Sequence, residues 1–541
     1  MNKNVFSLII FFILTPVLFA VPFNMILTGD PVLEDIRFLS LESNIPFLSF
    51  SPPLAPGEIK NFLNDINQEE LSQAGKEAYY RLLKSLVPQS RILFSEENFS
   101  LLFDINSTLE TRANFNSKIS YPRYTHIPPL VSLPLRLYFA EKIQLYIEPI
   151  FAINSRFYNE DNFSFNIPFG YNQISHNMSL RAFAVATGNW WNFQIGRDRL
   201  YWGTGHTGSL TFSDNSPFYD FARLSFFSSN VKYSFIVNQL PLTLTDNLFD
   251  PQRNAFPDDW KNSDNLQHTM QRYFYLHRLD FRLFKKVSIG LMEGIMAGNS
   301  PFSIRYFNPM VIYHDLFAWN DYPKWEPNNG DMIGSYLSLE VNWSIFKNLA
   351  CYGQFVMNEL TFPGENDENP NALGWMAGVQ YAHSLNGWGA VFFLEFIYTD
   401  PYLSILSSPF ASFIQMDRLE NYYFLGYPRD TIAVTFGGCF FNNDKLNFNG
   451  RFSWIASGEH NKNDKANGML WNWDTGRLIM KERTPTGTVE NKLVLSLGSG
   501  WKPHSWLGIK ANITGIYSIN NNHVKGNVLG GQASISASFH L

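Results

Sequence analysis

The chain has 541 residues, of which only 16% are charged, and it carries 50 Phe, 25 Tyr and 14 Trp residues. Its formal net charge is -6 and it has no basic block, which argues against nucleic acid as a partner. The aromatic excess is typical of proteins at membrane interfaces, where a ring sits between water and lipid tails.

Residues 1–20 have the layout of a cleavable signal peptide. Lys3 precedes an apolar run from Val5 to Leu14, and Ala20 stands where signal peptidase would cut. The run is too short to span a bilayer, so we expect an exported chain cleaved after Ala20. No later stretch of about twenty apolar residues predicts a transmembrane helix.

Residues 21–90 predict a small periplasmic bundle of three helices. The first runs from Asp30-Pro31 to about Ser43, and the second from Gly57 to about Ile66. The third follows a capping-box pattern, Asn67 with Glu70, and stops before Pro88. This helical head would either plug or brace the following domain or offer a docking site for periplasmic export machinery.

Residues 91–541 show a period of two in polarity. Leu337, Leu339 and Val341 alternate with Ser338, Glu340 and Asn342, and similar runs recur up to Leu541. A soluble β-sandwich would also alternate in this way. Runs of ten or more residues instead favour tilted membrane crossings.

The connections predict the strand number and the orientation of a barrel. Short turns are expected near Ala140-Glu141, Gly188-Asn189, Ser228-Asn230, Lys285-Lys286, Lys347-Asn348, Asn386-Gly387, Asn442-Asp444 and Lys502-His504. Longer polar loops are expected at roughly 116–130, 159–175, 201–218, 242–270, 298–332, 361–371, 400–429, 458–488 and 519–527. Their alternation predicts an all-β fold, a transmembrane antiparallel β-barrel of about 18 strands with both termini in the periplasm.

Side chains near the turns and along the strands support this interpretation. Aromatic residues flank the short turns as an interfacial girdle would: Phe139, Trp190, Trp191, Phe226, Phe227, Phe284, Phe346, Trp388, Phe440, Phe441 and Trp501. Charged residues are expected to face the lumen and to pair there: Arg136, Glu148, Arg181, Arg278, Asp280, Arg282, Glu340, Glu395, Arg451 and Lys510. Cys351 and Cys439 fall in separate predicted strands, so a disulfide is not expected.

The densest local motif runs off one of these strands into a glycine-rich polar loop. Its members are Gly196, Arg197, Trp202, Gly203, Gly205, Ser209, Ser213, Asn215 and Pro217. Here the chain resembles the Wzi-type capsule-assembly family of outer-membrane proteins. The helix start near Pro53 to Glu58 and the stretch from Arg305 to Pro309 are similar to that family as well.

The resemblance implies a surface lectin that binds or anchors capsule polysaccharide or exopolysaccharide in the outer membrane. Long-loop residues of the types that bind sugars are the candidate ligand contacts: Tyr201, Trp202, Asp214, Trp260, Trp319, Asp321, Tyr322, Trp325, Trp471 and Trp473. Alternatively, these rings pack the loops against each other. We expect Arg197 and Arg199 to pair within the wall rather than to touch ligand.

No catalytic signature, cofactor motif or metal-ligand spacing stands out in the sequence, so we expect no enzyme, no cofactor and no metal. An outer-membrane hydrolase remains a distant alternative. The main alternative to the lectin is a porin-like channel for solute uptake, since a polar lumen inside this many strands leaves room for a pore.

Overall fold

The computed structural model describes most of the chain. The described residues are 23–88, 90–96, 98–116, 127–140, 142–154, 157–158, 162–175, 181–216, 218–240, 272–298, 302, 304–308, 311–313, 333–360, 371–405, 413–416, 421–423, 427–442, 445–460, 471–472, 477–478 and 483–541. The predicted signal peptide therefore lies outside them. No helix in these ranges is both long and apolar enough to cross a lipid bilayer.

Three helices come first: α1 (Val32–Glu42), α2 (Pro56–Asp65) and α3 (Gln73–Ser85). Each buries an apolar face, and these faces share one core. The third helix starts later than the sequence predicts. Asn67 caps only the 3-10 turn Gln68–Glu70, and the extended backbone of the buried Leu71 interrupts that turn. Ser72 then caps α3 by accepting a hydrogen bond from the amide of Gly75.

Most of the remaining described chain is β-strand. The strands are β1 (Arg91–Glu96), β2 (Phe99–Phe103), β3 (Asn106–Phe115), β4 (Val131–Ser132), β5 (Leu135–Phe139), β6 (Ile143–Ile147), β7 (Ile150–Phe151), β8 (Phe163–Phe165), β9 (Ala182–Thr187), β10 (Trp191–Asp198), β11 (Tyr219–Phe227), β12 (Val231–Leu240), β13 (Arg272–Leu283), β14 (Val287–Gly298), β15 (Ile333–Phe346), β16 (Leu349–Glu359), β17 (Ala372–Leu385), β18 (Trp388–Thr399), β19 (Ile414–Met416), β20 (Asn421–Tyr423), β21 (Thr431–Asn442), β22 (Leu446–Ser457), β23 (Trp471–Asn472), β24 (Arg477–Leu478), β25 (Glu490–His504), β26 (Leu507–Ile519) and β27 (Asn527–His540).

One large antiparallel sheet contains all of these strands except the two small hairpins β19–β20 and β23–β24. Strands β9 to β18 pair in chain order, and β21, β22, β25, β26 and β27 extend the sheet from β18. β27 then pairs with β3, which follows β2 in the chain, and β2 pairs with β5. The structure therefore confirms an all-β, antiparallel architecture preceded by helices.

The sheet has an inner face, which packs on the helices, and an opposite outer face. In β15, Ser338, Glu340 and Asn342 are buried on the inner face, while Leu337 and Trp343 are exposed on the outer face. This pattern follows from the alternating directions of side chains along a strand. The predicted pairing of inner charges is confirmed at the centre, where Arg278 contacts Asp280 at 2.6 Å and Glu340 at 3.1 Å.

The described short turns lie where the sequence predicts them, with one exception, and Glu141, Asn443 and Asp444 of two further predicted turns lie outside the described residues. A register shift between Trp501 and His504 lengthens β25, so the turn falls at residues 505–506 instead of at Lys502-His504. Two members of the predicted aromatic girdle also face the other way. Phe227 is buried, and Phe441 contacts Phe38 of α1 with ring centroids 5.1 Å apart. Because neighbouring residues of a strand point to opposite faces, only one ring of each Phe-Phe pair can face outward.

The helical head is bound to the inner face and to the short turns. Lys232 on β12 donates to the Glu58 carboxylate at 2.5 Å, and Arg223 on β11 donates to the carbonyl oxygen of Pro53 at 2.6 Å. Lys286, in the turn after β13, donates to the carbonyl oxygen of Asn44 at 3.1 Å. These contacts support the interpretation of the head as a plug or brace.

A second segment covers part of the outer face. We call residues 302–313 the outer strap, of which 302, 304–308 and 311–313 are described. Tyr306 and Tyr313 of the strap are buried against β12, β13 and β14. The Tyr313 ring stacks on His277 at 4.6 Å, and His277 contacts the Glu293 carboxylate at 3.1 Å. The strap therefore covers a polar pair on the outer face.

Asp65, at the end of α2, anchors the head to the turn after β13. Its carboxylate accepts hydrogen bonds from Arg282 and, at 2.9 Å, from Lys285. Burial acts to raise the pKa of Asp65, but the hydrogen bonds from Lys285 and Arg282 outweigh burial and lower that pKa below its usual value. The stabilisation is therefore complete above the pKa of an unfolded Asp, about 3.9, and is lost as the pH falls through the lowered folded pKa.

We predict that Asp65→Asn lowers the free energy of unfolding by about 2 kcal/mol at neutral pH, because the buried Arg282 loses its charged partner. The difference from the wild type should shrink as the pH falls below about 4. Urea titrations of the full chain at pH 7 and pH 2.5 measure this difference in the free energy of unfolding. Glu69→Gln, at an exposed position of the same head, serves as the control. An equal effect of Asp65→Asn at both pH values would contradict the assignment.

Candidate functional site

The motif loop, residues 199–218, joins β10 to β11 and folds back along the inner face. Trp202, Leu210 and Phe212 are 0% exposed and belong to a core shared with strands β11 to β21. The Trp202 and Phe212 rings contact edge to face with centroids 5.2 Å apart. Burial of these three apolar side chains holds the loop inside the curvature of the sheet.

Two glycines make this path possible. Gly196 has φ +132°, and a Cβ there would lie 2.3 Å from the carbonyl oxygen of Ala182 on β9. Gly203 has φ +146°, and a Cβ there would lie 2.9 Å from the side-chain nitrogen of Gln354. Other residues rarely adopt such φ values, so these positions of the motif are required by the backbone.

Hydrogen bonds from distant strands fix the loop in place. The Gln354 side-chain oxygen accepts from the amide of Leu210 at 2.7 Å, and the Tyr336 hydroxyl donates to the Leu210 carbonyl oxygen at 2.7 Å. Glu395 accepts from the amide of His206 at 2.8 Å and from the Tyr352 hydroxyl at 2.7 Å. Buried backbone groups of the loop thus obtain partners from β15, β16 and β18.

The helical head reaches the same loop from the opposite end of the sheet. The Arg37 guanidinium of α1 donates to the carbonyl oxygens of Thr204 and, at 3.0 Å, Gly205. The amide of Gly203 donates to the Phe50 carbonyl oxygen at 2.8 Å, and the Arg37 guanidinium lies 4.2 Å from the Phe50 ring centroid. Head and loop therefore form one continuous body inside the sheet.

Several sequence-predicted contact residues support this body instead of facing solvent. Trp202 is fully buried, which corrects the expectation that its ring is presented to a sugar. The Tyr201 hydroxyl donates to the carbonyl oxygens of Gly205 at 2.5 Å and Gly208 at 2.9 Å, so it also braces the loop. Asp214 is exposed at the end of the loop and is available to solvent.

The remaining candidates are described only in part. Trp471 belongs to the short hairpin β23–β24, of which only the backbone is described. The rest of the candidate contacts lie outside the described residues: Trp260, Trp319, Asp321, Tyr322, Trp325 and Trp473. Pro217 of the motif lies outside them as well.

Arg197 pairs as expected, but on the outer face near the loop. Its guanidinium donates two hydrogen bonds of 2.7 Å to Asp220 and lies 3.8 Å from the centroid of the Phe218 ring. Ser209 and Ser213 are fully buried and accept hydrogen bonds from backbone amides of the loop. The motif therefore specifies a buried loop conformation and not a set of ligand contacts.

The head and strand residues that grip the loop were not identified as a site from the sequence. Arg37 and Gln354 are far from the loop in the sequence. Arg37 lies 168 residues before Gly205, and Gln354 lies 144 residues after Leu210. Of these residues, the polarity alternation in the sequence predicted only that Glu395 lies on the inner face, and it did not predict the contact with the loop. In the part of the chain that the structure describes, no group of three or more His, Cys, Asp or Glu side chains is placed to hold a metal ion.

Among solved structures, the fold is similar to that of Wzi from Escherichia coli, described as an outer-membrane protein involved in group 1 capsule assembly and as a carbohydrate-binding β-barrel. The two share 13% identity over 95% of this chain and 99% of that chain, with a TM-score of 0.58. Pseudomonas aeruginosa OpdQ is matched at 10% identity over 82% of this chain and 97% of that chain, with a TM-score of 0.40. No curated protein sequence matches the chain.

The sequence profile of one protein family, described as capsule assembly protein Wzi, matches residues 131–411. The match begins with β4, contains the motif loop with the strands that grip it, and ends in the segment after β18. Because it spans more than half of the 541 residues, the chain belongs to the Wzi capsule assembly family.

Proposed function

We propose that the protein is an outer-membrane β-barrel that binds surface polysaccharide and anchors it to the cell during capsule or exopolysaccharide assembly. It acts by binding and not by catalysis. Family membership and the fold shared with the carbohydrate-binding Wzi barrel support this proposal. The observation that carries it is the contact of Arg37 with the motif loop, because it fills the interior that a channel would need.

We infer that the strand pairings close into a barrel of 18 strands. The ring consists of three composite strands (β2 with β3, β4 with β5, β6 with β7), the ten strands from β9 to β18, and the five strands β21, β22, β25, β26 and β27. Closure leaves the ring itself without a free edge, as a lipid environment demands.

The proposed orientation places the short turns, the head and the C-terminus in the periplasm. Short periplasmic turns and long external loops are the rule in such barrels. The head binds at the short turn that holds Lys286, and His540 donates to the Trp506 carbonyl oxygen at the last turn. In this division residues 1–20 are the signal peptide, 21–90 the periplasmic head and 91–541 the barrel.

The polysaccharide site is proposed on the external loops. The motif loop supplies the rigid floor, since its aromatic core is buried and its backbone is hydrogen-bonded from both ends of the barrel. Asp214 at the loop end and the candidate residues of the neighbouring loops supply the contacts: Trp260, Trp319, Asp321, Tyr322, Trp325, Trp471 and Trp473. Aromatic rings bind sugar faces, and carboxylates accept hydrogen bonds from their hydroxyl groups.

The head also offers a surface for periplasmic export machinery. Tyr80 and Leu83 of α3 are 59% and 45% exposed on the side away from the shared core. Exposed apolar side chains grouped on one helix face are typical of sites that bind another protein. We therefore propose this face of α3 as the docking surface.

Replacing Trp471 and Trp473 together by Ala should weaken binding of polysaccharide extracted from the producing cells about ten-fold, because each stacked ring contributes about 0.5–1.5 kcal/mol. Sedimentation of labelled polysaccharide with proteoliposomes measures the affinity. Trp190→Ala, at an exposed ring beside a short turn, is the matched control and should bind as the wild type does. Absence of binding by the wild-type protein would refute the lectin function.

Planar-bilayer recordings separate the lectin from the porin-like alternative. We expect the wild type to be electrically silent, because the head and the motif loop fill one side of the barrel and the loop after β26 covers the external end of the other side. Arg37→Ala removes the donor to the Thr204 carbonyl oxygen and one of the two donors to the Gly205 carbonyl oxygen, which keeps the Tyr201 hydroxyl. The loss of the partner of Thr204 costs about 1–3 kcal/mol. The Arg37→Ala variant should show intermittent openings, whereas Lys60→Ala on exposed α2 surface should not. Steady open steps of the wild type would favour the channel.

A further inference from the structure

The inner faces of five neighbouring strands, β22, β25, β26, β27 and β3, form a wall with no apolar side chain over three consecutive rows. The first row is Asn447, Gly500, Lys510, Ser536 and Glu110; the second is Asn449, Gly498, Asn512, Ser534 and Arg112; the third is Arg451, Ser496, Thr514, Gln532 and Asn114. We call these rows the polar wall.

Water reaches the polar wall although it faces inward. Asn449, Arg451 and Lys510 are exposed, whereas Ser234 and Ser338 on the inner face of the opposite side are 1% exposed. Inner side chains are accessible only where open space lies beside them. The head and the motif loop therefore fill one side of the barrel and leave a water-filled space, the vestibule, along the polar wall.

The vestibule is closed toward the long loops. Beyond the third row, Ser453, Glu490 and Ser518 are buried. The Glu490 carboxylate accepts from the amide of Asn522 at 2.8 Å, which draws the loop after β26 over this end. Next to the short turns, by contrast, Lys502 is exposed. In the proposed orientation the vestibule thus opens to the periplasm.

Cations outnumber carboxylates along the vestibule, because the three rows contain Arg112, Arg451 and Lys510 but only one carboxylate, Glu110. Within the described residues, no carboxylate lies within ion-pair distance of Arg451, Lys502 or Lys510. The Lys502 stem runs beside the inner position of Gly508, 3.9 Å from where a Cβ would stand. The carboxylate in the first row, Glu110, accepts a hydrogen bond from the Tyr158 hydroxyl at 2.5 Å. An excess of one sign of charge on a pore wall favours ligands of the opposite sign.

Glycines keep the polar wall flat. A Cβ on Gly498 would lie 2.6 Å from the side-chain oxygen of Asn449 and 2.7 Å from that of Asn512. The two amide groups therefore lie across the glycine instead of projecting into the vestibule. Amide groups arranged in this way offer both donors and acceptors to a ligand rich in hydroxyl groups.

We propose that the vestibule binds an acidic oligosaccharide, a sugar chain that bears carboxylate groups, from the periplasmic side. Lys502 and Lys510 pair with the carboxylates, together with Arg451, whose guanidinium also donates to the His206 carbonyl oxygen of the motif loop at 3.3 Å. Asn449 and Asn512 bond the hydroxyl groups. This inference rests on the proposed function and extends it, since it adds an internal subsite to the external loops and defines the charge of the glycan.

Cysteine labelling of the full chain tests whether the vestibule is open. In a Cys351→Ala, Cys439→Ala background, Asn449→Cys should react readily with a water-soluble maleimide. Ser234→Cys, on the filled side, should react at least about ten-fold more slowly, because Ser234 is buried against Ser225. Equal rates at both positions would overturn the vestibule.

Calorimetry with hexagalacturonate and maltohexaose tests the ligand class. The wild type should bind the acidic hexamer, and high salt should weaken that binding, while the neutral hexamer should bind at least about ten-fold more weakly. Lys510→Gln and Thr514→Glu should each weaken binding of the acidic hexamer. Lys510→Arg should preserve it, and Lys525→Gln on the exposed external turn should leave it unchanged.

Equal affinity for the two hexamers, no binding of the acidic one, or binding unaffected by Lys510→Gln and Thr514→Glu would overturn the inference. If the Trp471 and Trp473 variant still loses polysaccharide in that case, the proposed function stands without the vestibule. If the wild type retains no polysaccharide at all, the proposed function fails by itself.

Discussion

Strand alternation directs every second side chain to the inner face, and the polar groups there need partners. Arg223, Lys232 and Arg282 have no water-filled space beside them and take their partners from the helical head. The head is therefore the electrostatic complement of one side of the wall. Removing it would leave buried cations without acceptors, which costs more than the loss of apolar contacts alone.

The motif loop also provides partners for polar groups of the inner face, from the other end of the sheet. Its backbone forms hydrogen bonds with Gln354, Tyr336 and Glu395, and its carbonyl oxygens accept hydrogen bonds from Arg37. The motif loop and α1, which the proposed orientation places at the external and periplasmic ends, are thus joined by hydrogen bonds inside the proposed barrel. A displacement of the head would therefore move the loop without any change in the strands, because Arg37 and Phe50 of the head contact the loop directly.

The fold was largely accessible from the sequence, because polarity alternation and turn residues are local signals. They predicted the three helices, the antiparallel strands and most short turns. These local signals did not predict features that tertiary contacts determine. One such feature is the start of α3 at Ser72, which depends on the burial of the preceding Leu71. The site was less accessible. Trp202 reads as an exposed ring in a polar loop, and only the contacts with Phe212 and the head show that it is buried.

The two sides of the interior solve the problem of a polar inner face in different ways. Against β10 to β18 many polar groups are buried and hydrogen-bonded to protein, whereas several polar groups of the polar wall are exposed to water. This asymmetry distinguishes the molecule from both a symmetric pore and a solid plug. It also separates two tasks in space, because the rigid floor for the loops stands on one side and the vestibule on the other.

The outer strap makes the two flanks of the proposed barrel different. Over β12, β13 and β14 the wall is two layers thick, and the imidazole and carboxylate beneath Tyr313 stay out of reach of acyl chains. Elsewhere the proposed barrel would present a single layer of mostly apolar side chains to the bilayer. Other membrane proteins would therefore contact either the flank covered by the strap or the uncovered flank. The protein would pack beside them in one preferred rotation about the membrane normal.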